Sequence, residues 1–368
     1  MLTVKQARDL AQKKLAAVTD GADPSAERHA IRQGLTVAAL WDWYLVEAEA
    51  GRLIGRNHRP IKTYSLSGDR SRVELHIKPL IGNRVISQLK LADIERLQGD
   101  NAAGRTARAR KTGRGGQTAG GIGVAARAIS TLRSLFNHAR RLGLIEVSPA
   151  KGVRIMASQK VKRYLSAVEI RHLGKMMTQM VREGEHPTGL AAIRVMLLTG
   201  FRRIEVLAMG REWVQPDDNL VRFPDTKSGP EMRVAGDAAM TCLEEQAIRS
   251  HSPFVFPADW GDGHFIGVVR VLDRVCARAG LEDVTPQTLR HSFASMAAAQ
   301  GFSELTNSGL LGHAPRGVMQ RYVRLDTALI IAADQVASEI AQLLEGGELR
   351  SVREIKPART VASLRAVA

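Results

Sequence analysis

Helical periodicity runs through nearly the whole chain and breaks once. Apolar residues recur at three- and four-residue spacing through 67–80, 91–99, 122–142, 166–180 and 188–198. Two short strand-like runs follow, Leu220-Val221-Arg222-Phe223 and Glu231-Met232-Arg233-Val234, on either side of Lys227-Ser228-Gly229-Pro230. Helical patterns resume at 238–249, 264–279, 286–300 and 303–311, and a last one spans 325–345. This layout predicts a mainly α fold with one small β-hairpin or sheet in its second half. A length of 368 residues suggests two or three folded units.

Punctuation divides the pattern. Residues 1–32 read as a basic helix carrying Leu2, Ala7, Leu10 and Leu15, closed by Asp20-Gly21-Ala22-Asp23-Pro24. A helical unit over 33–157 begins with the amphipathic segment of Leu35, Leu40, Trp41, Tyr44 and Leu45. A linker through Ser148-Pro149-Ala150-Lys151-Gly152 to about Arg163 leads to a second unit over 158–345. The tail 346–368 is polar and basic, and reads either as disordered or as an arm that docks on a neighbour.

Charge narrows the partners. The formal net charge is +16, which recruits polyanions. Of the 53 basic residues 40 are Arg, whose planar fork grips phosphate oxygens two at a time. Between Asp100 and Glu146 no acidic residue occurs, whereas Arg105, Arg108, Arg110, Lys111, Arg114, Arg127 and Arg133 all fall there. These seven are the candidate DNA-backbone contacts, and Gly113 to Gly123 is expected to be a loop that orders on a partner. RNA is the competing polyanion, but aromatics at 4% leave little material for base stacking. No apolar run of membrane-spanning length and no apolar leader are read, so no membrane partner is expected and the location is expected to be cytoplasmic, with the nucleoid. Two cysteines, Cys242 and Cys276, exclude a disulfide scaffold and are expected to pack. Gly121-Ile122-Gly123-Val124-Ala125-Ala126 resembles a dinucleotide fingerprint but follows no buried strand, and no zinc or nucleotide motif is present, so neither cofactor nor metal is expected.

Polar residues in the second unit stand where a bland core would place apolar ones. Leu197-Leu198-Thr199-Gly200-Phe201-Arg202-Arg203-Ile204-Glu205 ends an apolar helix in a Thr-Gly turn and sets Arg202 and Glu205 three residues apart, on one face of a new turn. Pro286-Gln287-Thr288-Leu289-Arg290-His291 opens another helix with a second arginine. Leu311-Gly312-His313 ends the next, and Tyr322 follows nine residues later.

In that order the pieces resemble the tyrosine recombinase (phage integrase) family. Arg72-Val73-Glu74-Leu75-His76-Ile77-Lys78-Pro79-Leu80-Ile81-Gly82 and 132–149 look like that family's core-binding, SAM-like domain. Residues 3–24 resemble the end of the arm-binding domain of the P4-like branch, here shortened. The resemblance implies a two-domain, C-shaped DNA clamp and a metal- and ATP-independent enzyme. Tyr322 would attack a phosphodiester and form a 3'-phosphotyrosine, while Arg202 and Arg290 clamp the scissile phosphate. Lys227 would protonate the leaving 5'-oxygen, His313 would bond the phosphate and orient Tyr322, and Glu205 would brace from behind. It also implies double-stranded DNA crossover sites, a homotetramer that exchanges its C-terminal segment between protomers, and accessory bending or directionality factors. The role implied first is integration and excision of a mobile element; the alternatives are Xer-like dimer resolution and a catalytically weakened architectural factor. One position departs from the pattern. Gln287 stands where the family has His or Lys, and an amide exchanges no proton at neutral pH, so that role falls to His313 or His291, or turnover slows.

Overall fold

The structure, a computed structural model, describes residues 4–19, 34–55, 59–108, 120–157, 163–226, 229–249, 251–312 and 327–348. It divides into two compact units, Met1–Lys160 and Val161–Ala368, and the division falls inside the linker read from the sequence.

The first unit is helical: α1 (Val4–Thr19), α2 (Val37–Glu49), α3 (Thr63–Arg72), α4 (Lys78–Ile81), α5 (Leu91–Ala102) and α6 (Ile122–Arg141). Thr36 caps α2, its hydroxyl accepting from the Ala39 amide at 3.1 Å. The core forms where Leu40, Trp41 and Tyr44 of α2 meet Ile94 and Leu97 of α5 and Ile129, Leu132 and Phe136 of α6. Between α3 and α4 the chain winds as a π-helical turn, Val73–Ile77. Pro79 explains it: the ring has no N–H to give and would clash with the carbonyl four residues back, so the turn widens. A buried polar network ties this turn to the end of α5. Thr106 Oγ1 donates to Asn101 Oδ1 at 2.8 Å and lies 2.7 Å from His76 Nδ1, while Asn101 Nδ2 donates to the His76 carbonyl at 3.1 Å. Burial, then the positive charge of Arg108, pushes the His76 imidazole below its ordinary range, so it stays neutral near pH 7.

The second unit contains α7 (Ala167–Arg182), α8 (Pro187–Thr199), α9 (Arg203–Leu207), the strands β1 (Val214–Gln215), β2 (Leu220–Thr226) and β3 (Gly229–Val234), then α10 (Asp237–Ile248), α11 (Val268–Ala279), α12 (Pro286–Ala299), α13 (Glu304–Leu310) and α14 (Thr327–Leu344). The sheet is antiparallel in the order β1-β2-β3; in its register Val221 faces Arg233 and Phe223 faces Glu231. The hairpin is the one read from the sequence. β1 is an addition, too short to leave a periodic trace. The sequence pattern starts a helix at 264, but α11 begins at Val268, because His264 pairs with Pro257 as an isolated bridge instead.

α8 is buried almost throughout and forms the centre of this unit, contacted by α7, α10, α11, α12 and α14. α14 has the length and hydropathy of a membrane-spanning helix, contrary to the expectation that no such segment exists. Its Leu329, Ala332, Val336, Ile340, Leu343 and Leu344 are nonetheless part of the core against α7, α8 and α10. Cys276 is buried and Cys242 partly so, as packing residues.

Candidate active site

Two tight turns build the site. α8 ends at Gly200, which adopts φ 63°, and a Cβ there would also lie 2.6 Å from the Phe293 ring. Only glycine satisfies both conditions. Thr199 closes the turn, its hydroxyl donating to the Val195 carbonyl at 2.7 Å and accepting from the Phe201 amide at 3.2 Å. The chain therefore reverses at once and presents Arg202 as the residue before α9. Glu205 Oε2 accepts the Arg202 amide at 2.8 Å, and Glu205 Oε1 accepts Arg202 Nη1 at 2.6 Å. One carboxylate thus caps α9 and fixes the guanidinium that precedes it. The sequence pairing of Arg202 with Glu205 is present in the structure, and it is closer than a shared helix face requires.

Arg290 enters from α12, one turn beyond its cap at Thr285, whose hydroxyl accepts from the Thr288 amide at 3.3 Å. Its side chain is buried, with Nη1 donating to the Gly200 carbonyl and Nη2 to the Leu311 carbonyl, each at 2.7 Å. Arg202 Nη2 reaches the next carbonyl, that of Gly312, at 3.5 Å. Both arginines therefore bear on the Leu311-Gly312 turn, directly before His313 in the sequence. Burial, then the charges of Arg202 and Arg233, lowers the Arg290 guanidinium to about 10, which leaves it protonated at neutral pH. For Glu205 burial alone would raise the carboxyl; Arg233, the Arg202 amide and the Arg202 guanidinium outweigh it and hold the group below the usual carboxylate range. Fixed cations around a shared carboxylate suit a site where negative charge builds up on non-bridging phosphate oxygens.

Gln287 and His291 form a pair one turn apart on α12. His291 Nδ1 lies 3.3 Å from the Arg163 carbonyl and Nε2 lies 3.0 Å from Gln287 Nε2. A carbonyl only accepts, so Nδ1 carries the proton and Nε2 accepts from the Gln287 amide. The lone pair that would make His291 a base is already engaged by Gln287. Arg203 is exposed and joins no ion pair among the described residues. Lys227, His313 and Tyr322 lie outside the described residues.

Nothing in the sequence pattern singles out Arg233. It is 2% exposed, opposite Val221 on the inner face of the hairpin. It donates to Glu205 Oε1 from Nη2 at 3.2 Å and to Glu231 Oε1 from Nε at 3.1 Å, and its Cζ lies 5.3 Å from the Phe201 ring centroid and 5.7 Å from that of Phe223. Strand alternation in Glu231-Met232-Arg233-Val234 points Arg233 outward with Met232 and Val234 inside. The structure instead leaves Met232 exposed and buries the cation between two carboxylates and two aromatic rings.

Of the candidate DNA contacts in the first unit, Arg105, Arg108 and Arg127 are exposed. Arg105 pairs with Asp100 at 3.0 Å, so the acid bordering the basic stretch is not idle. Arg133 is half-buried and donates to the Val153 carbonyl. Beside it a cavity of about 420 Å³ is lined by Asn137, Arg140, Ser148 and Lys151. Arg110, Lys111 and Arg114 lie outside the described residues.

Residues 163–328 match the phage integrase family. Tyrosine recombinase XerC of Agrobacterium fabrum is 27% identical over 237 residues, covering 60% of this chain and 71% of that protein. Among solved structures, a lambda integrase tetramer bound to a Holliday junction aligns with a TM-score of 0.59 at 17% identity, covering 87% of this chain and 86% of the other. The Tn1549 transposon integrase in complex with a circular intermediate DNA aligns with a TM-score of 0.55 at 14% identity, covering 77% and 92%. These two structural likenesses concern the fold, a helical unit followed by one with a small antiparallel sheet. The family match spans the Gly200 turn, the hairpin, α12 and the segment to Tyr322, so it is the second unit that carries the likeness to the phage integrase family, the family of tyrosine recombinases.

Proposed function

We propose that the chain is a site-specific DNA recombinase of the P4-like integrase branch that integrates and excises a mobile genetic element. The observation that carries the chemistry is the convergence of Arg202 and Arg290 on one turn, the first braced by Glu205. In this reading the two guanidinium groups hold the non-bridging oxygens of a backbone phosphate. The Tyr322 phenolate attacks phosphorus, the P–O5' bond breaks, and the 5'-oxygen leaves with a proton from Lys227. His313 bonds the phosphate and takes or orients the phenol proton, since His291 is engaged by Gln287; such proton transfer is typically worth about 10²- to 10⁴-fold in rate. The freed 5'-hydroxyl of one duplex then attacks the phosphotyrosine of another, so the number of phosphoester bonds is conserved and no nucleotide is consumed.

The basic, acid-free stretch after Asp100 supports phosphate tracking by the first unit. The lambda integrase tetramer on a Holliday junction supports a tetramer on two duplexes; exchange of the C-terminal segment between protomers and bending or directionality factors as accessory partners are carried over from the family resemblance. The likeness to XerC favours a second reading, chromosome or plasmid dimer resolution by the same chemistry. A supercoiled plasmid carrying the two segments that flank the gene as direct repeats distinguishes them. An integrase resolves it into two circles in EDTA, and Tyr322→Phe does not. Exchange at a site near the host chromosome's replication terminus, with none at the flanking repeats, would assign the protein to dimer resolution.

A further inference from the structure

The active-site cluster contains a charge that the two-arginine clamp does not use. Around Glu205 the described residues bring together three guanidinium groups, Arg202, Arg233 and Arg290, and two carboxylates, Glu205 and Glu231. The balance is one net positive charge, which matches a phosphodiester monoanion. Without Arg233 the balance is zero, and Glu205 Oε1, now shared at 2.6 Å with Arg202 and 3.2 Å with Arg233, would have Arg202 as its only bonded cation.

Arg233 is a poor choice for stability alone. A fully buried guanidinium is expensive to desolvate, and its Nη1 is buried with no hydrogen-bond partner among the described residues. An apolar residue opposite Val221, with an amide at position 231, would fill the same layer more favourably. Arg233 also shapes the turn that Arg202 and Arg290 hold. Gly312 adopts φ 58°, and a Cβ on it would lie 2.1 Å from the Arg233 Cζ, so the turn rests directly on the guanidinium.

We propose that Arg233 is a positioning residue for strand cleavage: by taking a share of the Glu205 carboxylate it leaves this cluster of five charged groups with one surplus positive charge for the scissile phosphate, and it supports the Gly312 turn against its guanidinium. The proposal rests on the recombinase reading above and concerns a residue that need not touch DNA. Arg233 acts through Glu205, so its loss should alter the titration of that carboxyl as well as the rate.

Three variants test it, with single-turnover cleavage of a nicked duplex, duplex affinity and a carbon-13 titration of the Glu205 carboxyl as readouts. Arg233→Met is expected to fold and to bind duplex within a few-fold of wild type. It should cleave about 10²-fold more slowly, a loss like that of one transition-state donor, with the acid limb of its pH–rate profile moved to higher pH. Adding Glu231→Gln restores the surplus charge and should recover at least about tenfold of that rate, which relief of a packing defect would not do. Arg233→Lys keeps the charge and should retain most of the activity, and it serves as the test if Arg233→Met does not fold. The proposal is overturned if folded Arg233→Met cleaves within about threefold of wild type, if Glu231→Gln gives no recovery, or if folded Arg233→Lys cleaves more than about tenfold more slowly than wild type. Absence of cleavage by the wild-type protein would count against the recombinase reading instead. The titration needs no DNA, and a Glu205 carboxyl whose titration does not move to higher pH in folded Arg233→Met sinks the Arg233 proposal by itself.

Discussion

Replacing Arg290 by alanine is expected to lower the yield of covalent protein–DNA complex about 10²- to 10³-fold, with duplex affinity changed only a few-fold. The asymmetry follows from where the side chain lies. At 4% exposure it contributes little to the outer field that attracts DNA, yet it is one of the fixed cations on which a phosphorane's added charge would fall. Arg290→Ala also removes the donor that the Gly200 and Leu311 carbonyls share, so both turns of the site lose an anchor. Arg290→Lys separates the two effects: it restores a cation without the planar fork, and should recover part of the rate but not all of it. Cleavage by Arg290→Ala within tenfold of wild type would exclude Arg290 as a phosphate clamp. Arg202→Ala should behave in the same direction, and in addition it frees Glu205 to pair with Arg233 alone.

A large loss of stability is expected in the first unit from Trp41→Ala. Trp41 is fully buried, stacks on Tyr44 at 5.5 Å between ring centroids, and belongs to the core made by α2, α5 and α6. Truncating a buried aromatic of this size costs about 3–5 kcal/mol. One feature offsets part of that: the indole Nε1 is buried with no hydrogen-bond partner among the described residues, so the variant also loses an orphaned donor. In a helical unit of this size the net effect should lower the melting temperature by roughly 10–20 °C. Hydrogen exchange resolved by peptide should show the change in α2, α5 and α6 and not in α8. Uniform loss of protection in both units would mean that they unfold as one cooperative block. Duplex affinity should weaken with the first unit, because the exposed Arg105, Arg108 and Arg127 are carried on it.

The helices were legible in the sequence because periodicity is a local property. α8 was expected over 188–198 and spans Pro187–Thr199, while α6 was expected over 122–142 and spans Ile122–Arg141. The Gly200 turn was legible for the same reason, since Thr, Gly, Arg and Glu are close in sequence and interact through the cap they make together. What periodicity hides is whatever another element decides. The π-helical turn before Pro79, the start of α11 at Val268 and the two-residue β1 depend on pairing or backbone bonding that leaves no amphipathic trace. Arg233 is the clearest case. Alternation within β3 alone would expose it; only Glu205, far away in sequence, together with Glu231, Phe201 and Phe223, makes a cation stable there. Gln287 was legible as a departure from the family pattern, but its hydrogen bond to His291 was not, and that bond bears on which histidine handles the proton.

The most direct test of the phosphotyrosine chemistry is mass spectrometry of the covalent complex trapped on a nicked duplex, after nuclease and trypsin digestion. Cleavage at Arg321 and Arg324 releases Tyr322-Val323-Arg324. The expected result is a 3'-linked nucleotide on that tripeptide and no covalent complex from Tyr322→Phe. A nucleotide on Tyr64, Tyr164 or any residue other than Tyr322, or a complex that persists in Tyr322→Phe, would contradict it.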